Sequence, residues 1–334
     1  MMIDNLTWKS RNLLTNMLRN ADQAEVNAIA QTSAATTISI LDERISETII
    51  DDAQGSDNLA DPLLTQLERD SAIDQLLGNN LEEIERRSHW LGDSYPFRLK
   101  ENELFYIPSQ TGVYEYCLAV SYLDSLTETP YAELVRFFEV IAAEAFRLFL
   151  GKDADYIRTG APAISYPKTS MSFKQGFEFI HQQTAEWRWS PDESTLIDLP
   201  SIKDEGVDFV VWKRADERKG ALFFLGQCAC GKTDWHEKTS DIDADLKRIS
   251  RWFRKTSYVP PIRAFALPFP ITASSIFDTL TDYAGLTMDR LRITRIAEDP
   301  ANSIFFSQHS EKIRSLSQLV LGLPNAENTS GAPA

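Results

Sequence analysis

The sequence predicts a mixed α/β domain, a sheet flanked by helices, preceded by a mainly helical region. Three observations carry that expectation. Apolar runs at 206–212 (Gly-Val-Asp-Phe-Val-Val-Trp) and 221–228 (Ala-Leu-Phe-Phe-Leu-Gly-Gln-Cys) flank a polar break at 214–220, which is the pattern of an antiparallel hairpin. Across 170–270 the order reads helix, strand, strand, strand, helix, strand. Residues 10–90, by contrast, carry mostly helical stripes.

In chain order, Leu13, Leu14, Met17 and Leu18 form one apolar stripe. Leu63, Leu64, Leu67, Ile73, Leu76 and Leu77 form another, and a loop rich in Asp, Gly, Ser and Asn joins them at 51–62. A small hairpin is expected around 95–99 and 103–107, then helices over 113–126 and 131–150, the second stopped by Gly151. Residues 152–171, with Gly160, Pro162 and Pro167, read as a connector. Next come a helix at 173–186, a short strand at 196–199, the hairpin, and a helix over 240–255 opened by an acidic turn. A strand at 261–268 and helices near 277–280 and 311–320 follow. The expected domains are thus a helical 1–151, a connector at 152–171, an α/β domain at 172–322 and a disordered tail at 323–334.

At 334 residues, 43 % hydrophobic and 25 % charged, the composition is that of a soluble globular protein. No run approaches the roughly 18 apolar residues of a membrane span, and the opening residues lack the order of a signal peptide, so a cytoplasmic location is expected. Cys117, Cys228 and Cys230 cannot build a disulfide framework. The net charge of −15 argues against non-specific coating of nucleic acid. It is uneven: residues 1–169 hold 14 Lys and Arg against 27 Asp and Glu, which makes the first half a candidate contact surface for a partner protein or a second subunit. In the second half, Lys247, Arg248, Arg251, Arg254 and Lys255 form a basic run suited to a phosphate backbone, or else the solvated face of a helix.

Folding the chain about the 214–220 break sets Asp208 roughly opposite Gln227. A carboxylate and an amide oxygen on rigid backbone suit a divalent cation, and a carboxylate among apolar strand residues costs several kcal/mol unless paired or metal-bound. The segment 226–233 also fits the phosphate-loop expression G-x-x-x-x-G-K-[ST], although the acidic residues after it do not read as the required helix. Cys228, Cys230 and His236 invite a zinc reading, yet no fourth ligand is evident and small buried cysteines are the plainer account.

With Gly206-Val207-Asp208, Gln227-Cys228-Ala229 and Gly176-Phe177-Glu178, the second half resembles the PD-(D/E)XK nuclease superfamily, the restriction-endonuclease-like fold. It is most similar to Mrr-type members with Gln in place of Glu. The resemblance implies a DNA endonuclease using Mg²⁺ or Mn²⁺, serving in restriction or defence. It assigns Asp208, Gln227, the Cys228 carbonyl and Glu178 to the metal, with Phe138-Glu139 offering an alternative helical acid. The motif lysine is absent, because Ala229 stands there; Lys238 or Lys232 would replace it. The alternatives are a non-catalytic binding module of the same fold and a P-loop NTPase.

Overall fold

The structure is a computed structural model that describes residues 8–30, 35–36, 62–101, 103–123, 127–128, 130–159, 171–191, 205–231, 235, 238 and 247–322. The loop at 51–61, the strand at 196–199, Lys232, His236 and the tail lie outside them. By contacts the chain divides into two compact units, Asp4–Tyr122 with Phe306–Ala334, and Met1–Ile3 with Leu123–Phe305. The 152–171 segment expected as a connector therefore lies within the second unit, and the helix before it belongs with the sheet.

The first unit contains α1 (Trp8–Ala30), β1 (Ala35–Thr36), α2 (Pro62–Leu91), β2 (Phe97–Lys100), β3 (Glu103–Tyr106) and α3 (Val113–Tyr122). Its hairpin β2–β3 is antiparallel, with Phe97 opposite Tyr106. The helix expected over 113–126 ends at Tyr122. At the centre of this unit lies a buried charge cluster. The Arg87 guanidinium, fully buried, meets Asp22 at 2.7 Å, Glu25 at 2.9 Å and Glu83 at 3.0 Å. The Tyr95 and Tyr114 hydroxyls each donate to Glu25 at 2.7 Å, and Ser121 donates to Asp22 at 2.9 Å. Burial works against the charge on Arg87, but Glu25 and Asp22 outweigh it and push the guanidinium well above its ordinary range.

The second unit runs α4 (Ala132–Leu150), β4 (Asp155–Arg158), α5 (Phe173–Thr184), β5 (Arg188–Trp189), β6 (Phe209–Lys213), β7 (Leu222–Cys228), β8 (Phe253–Lys255), β9 (Ile262–Ala266), α6 (Ser274–Ala284), β10 (Leu286–Met288) and α7 (Arg290–Glu298). The last helix, α8 (Ser310–Leu321), returns to the first unit, where it packs on α3.

Five strands of the second unit form one mixed sheet in the order β10-β9-β7-β6-β4. β4, β6 and β7 are mutually antiparallel neighbours, whereas β9 runs parallel to β7 and β10 parallel to β9. The expected hairpin is β6–β7, registered from Phe209 opposite Gly226 to Lys213 opposite Leu222. α4 covers one face, its Phe146 ring lying 5.5 Å from that of Phe209 and 5.9 Å from that of Phe224. α5 covers the other, burying Phe173, Phe177 and Ile180 against Val210, Trp212, Phe223 and Leu225. This division follows from the period-2 alternation of strand side chains.

Two expectations need correction. Within the connector lies β4, an edge strand whose apolar content is too short to stand out. The helix expected over 240–255 is helical at 247–250 but becomes strand β8, because Phe253 is drawn into the aromatic cluster of Phe177 and Trp187 and the strand pairs with β5. Among the described residues no helix is long and apolar enough to cross a membrane.

Gly226 has a packing reason. A Cβ there would come within 2.1 Å of the Phe209 ring, which is fully buried. Gly226→Ala is expected to cost about 2–3 kcal/mol through overpacking. A urea melt would show a lowered midpoint, and Phe209→Leu in the same chain should recover part of it; an unchanged midpoint would mean the ring moves freely.

Candidate functional site

The end of the sheet at which β6 begins and β7 finishes brings Asp208 and Gln227 together. Asp208 is half-buried, with its backbone N–H donating to the Gly226 carbonyl at 2.8 Å and its carboxylate accepting the Cys228 N–H at 2.7 Å. It therefore contacts the residues on either side of Gln227. On its other flank the Thr159 N–H donates to the Asp208 carbonyl at 3.1 Å, and the Thr159 hydroxyl donates to the Val207 carbonyl. Asp208 is thus held between two strands, on the rigid backbone that a ligating or reacting group requires.

Gln227 is buried, and its Oε1 has no hydrogen-bond partner among the described residues. A buried amide oxygen left so is uncommon and calls for a donor, a water or an ion. Alternation along β7 sends Gln227 to the side of Phe223 and Leu225. There Trp235 packs against the cluster of Ala229, Phe265 and Leu267, so the tryptophan does anchor its segment. Lys238, on the same short segment, is half-buried.

On the α4 side stands a group the sequence reading missed in part. Arg158, opposite Phe209 in the β4–β6 register and almost fully buried, is ion-paired to Glu139 of α4, its Nε donating at 3.0 Å. The Arg158 Nη1 has no hydrogen-bond partner among the described residues. Glu139, the alternative helical acid, is therefore the one placed beside the β4–β6 edge. Glu178 instead lies on the exposed side of α5, 3.7 Å from Lys174, because Phe173, Phe177 and Ile180 claim the inward face of that helix. Nothing in the run 152–171 marks Arg158, apart from weak alternation in Asp155-Tyr156-Ile157-Arg158.

The Cys228 thiol reports on this gathering of charge. Burial first, then the negative charges of Asp208 and Glu139 together with Cys230, push it well above its ordinary range, and Arg158 opposes them. Because the native thiol keeps its proton at a pH where the unfolded one loses it, its stabilising contribution is complete below the ordinary thiol range and is lost as pH rises beyond it. Cys228 is expected to resist alkylation at pH 8 in the folded protein, read by mass spectrometry. Rapid labelling under native conditions would contradict this placement.

Among the described residues no three His, Cys, Asp or Glu side chains form a metal-ligating group. A cation here would rest on Asp208, the neutral Gln227 amide, backbone carbonyls and water, a hard-oxygen set with one fixed charge. Cys228 and Cys230 are buried thiols. The phosphate-loop residues Gly226, Gln227 and Cys228 are in ladder register with Ala264, Phe265 and Ala266 of β9. They lie within a strand, rather than in a loop opening its amides to phosphate.

The basic run is spread out. Arg248 and Arg251 lie 3.7 and 3.5 Å from Glu205, near the Asp208 end, while Arg254 and Lys255 sit on β8, and all of these cations, with Lys247, are exposed. No protein-family model matches the chain, and neither a curated protein nor a solved structure matches it.

Proposed function

We propose that the Leu123–Phe305 unit is a restriction-endonuclease-like domain of the PD-(D/E)XK superfamily, Mrr-like in carrying Gln227 where Glu is usual, and that it hydrolyses DNA phosphodiester bonds with Mg²⁺ or Mn²⁺. The observation that carries the reading is Asp208 fixed on both sides of Gln227, whose buried amide oxygen has no partner among the described residues. Its topology supports it further: a helix, three antiparallel strands, and a fourth strand parallel to the third, with Asp208 at the start of the second and Gln227 at the end of the third.

Asp208, the Gln227 amide and the Cys228 carbonyl would hold the cation. When bound, such an ion lowers the pKa of a coordinated water and offsets charge building on phosphorus. Arg158 brings a buried, unpartnered N–H suited to a phosphate oxygen. Lys238 takes the place of the motif lysine by orienting the attacking water, with Trp235 anchoring its segment. The acidic first half would meet a partner protein or a second subunit that supplies targeting, in restriction or defence.

A second reading, a nuclease-like module that binds DNA without cutting it, is favoured by Ala229 at the lysine position. Nicking of supercoiled plasmid with Mg²⁺ or Mn²⁺, compared between the native chain and Lys238→Ala, separates the two. The nuclease reading expects EDTA-sensitive nicking that falls at least about tenfold in the variant. Binding without nicking in either metal would favour the second.

A further inference from the structure

At the opposite end of the hairpin from Asp208, three segments place two ammonium groups on one exposed phenol. Lys255 Nζ lies 3.5 Å from the centroid of the Tyr258 ring and Lys219 Nζ 5.3 Å from it, the latter also 3.4 Å from the hydroxyl. Tyr258 is 49 % exposed. Lys219 comes from the turn between β6 and β7, Lys255 from β8, and Tyr258 from the loop that follows it.

The arrangement is held from below by Glu186, which is 2 % exposed. One of its carboxylate oxygens accepts the Gly220 and Ala221 N–H groups at 2.9 Å, and the other accepts the Tyr258 N–H at 2.6 Å. A single buried carboxylate therefore ties the hairpin turn to the Tyr258 loop, so the cations above it stand on fixed backbone. Arg188 lies opposite Lys255 in the β5–β8 register, and Arg254 precedes it, both exposed. None of Arg188, Lys219, Arg254 and Lys255 forms an ion pair among the described residues, in contrast to Arg248 and Arg251 beside Glu205. Four unneutralised cations gathered in a chain of net charge −15 are held at a cost in mutual repulsion, which an anion would relieve.

Resting on the nuclease reading above, we propose that Lys219, Lys255 and Tyr258 form an anchor for a backbone phosphate of the bound nucleic acid, remote from the Asp208 end and set by the hairpin turn. The two ammonium groups supply charge, the phenol a hydroxyl donor and a flat face for a sugar or base. Strand β6 is five residues long, so Asp208 and the turn are separated by roughly 17–20 Å at about 3.3 Å per residue. One strand of duplex covers that span in about five or six nucleotides. The anchor would thus fix which phosphodiester arrives at Asp208.

The test is anisotropy of a fluorescein-labelled 20-base-pair duplex against the full chain in EDTA, where cleavage is off, at several salt concentrations. The double variant Lys219→Gln/Lys255→Gln is expected to bind about tenfold or more weakly, with the salt slope reduced by nearly two, while its thermal midpoint stays unchanged. Tyr258→Phe should lose about two- to threefold. Native binding that the double variant retains in full would overturn the anchor and leave the nuclease reading standing. Failure of the native chain to bind duplex at all would remove both. Capture of poly-glutamate by the native chain, lost in the double variant while duplex affinity is unchanged, would overturn the phosphate assignment in favour of an acidic protein surface.

Discussion

Replacing Arg87 with methionine is expected to destabilise the first unit by about 3–5 kcal/mol, the largest loss for any single change considered. The methionine fills most of the space but leaves Asp22, Glu25 and Glu83 buried without their cation, and Glu25 still accepts two tyrosine hydroxyls. Urea unfolding followed by circular dichroism would show an early transition for this unit. Adding Glu25→Gln to Arg87→Met should restore part of the loss, since one uncompensated charge is gone. If Arg87→Met melted with the native midpoint, the cluster would not be the centre of the unit. The guanidinium holds together α1, α2 and, through Glu25 and Asp22, the tyrosine of α3 and its Ser121. That the acidic first half folds at all depends on such internal neutralisation.

Asp208→Asn is expected to reduce metal-dependent nicking by at least about a thousandfold, on the scale of losing a preorganised charge at the reacting centre. The amide can still accept the Cys228 N–H, so the urea midpoint should move by less than about 1 kcal/mol. Asp208→Ala removes the acceptor as well and is expected to add about 1–3 kcal/mol of destabilisation. The pair of variants separates chemistry from structure: a nuclease loses activity in both but stability mainly in the second. Equal nicking by the native chain and Asp208→Asn would remove the carboxylate from the mechanism.

The hairpin was legible because two long apolar runs and a charged turn leave few alternatives, and the observed register from Phe209 opposite Gly226 sets Asp208 beside Gln227 as expected. β9 was legible for the same reason, as a β-branched and aromatic run bounded by prolines. β4 was not, because an edge strand of four residues with two charged members carries little periodicity. Its miss hid Arg158, and with it the reason Glu139 rather than Glu178 stands near the sheet edge. Both acids follow a phenylalanine within a helix, and only the tertiary packing of Phe146 and of Phe177 decides which side of each helix faces inward. The break of helix into strand at Phe253 is likewise tertiary, since the aromatic cluster on α5 overrides the local helical pattern. The anchor around Tyr258 unites residues 36 or more apart in sequence with a buried Glu186, a juxtaposition no local pattern shows.

The account rests on Asp208 and Gln227 sharing a cation at the sheet end. Crystals grown with Mn²⁺ and measured at the manganese edge test this directly. One anomalous peak in contact with both the Asp208 carboxylate and the Gln227 Oε1 is the predicted result. A peak bound elsewhere in a chain that cleaves DNA, or a Gln227 side chain turned away from Asp208 with no peak between them, would contradict it.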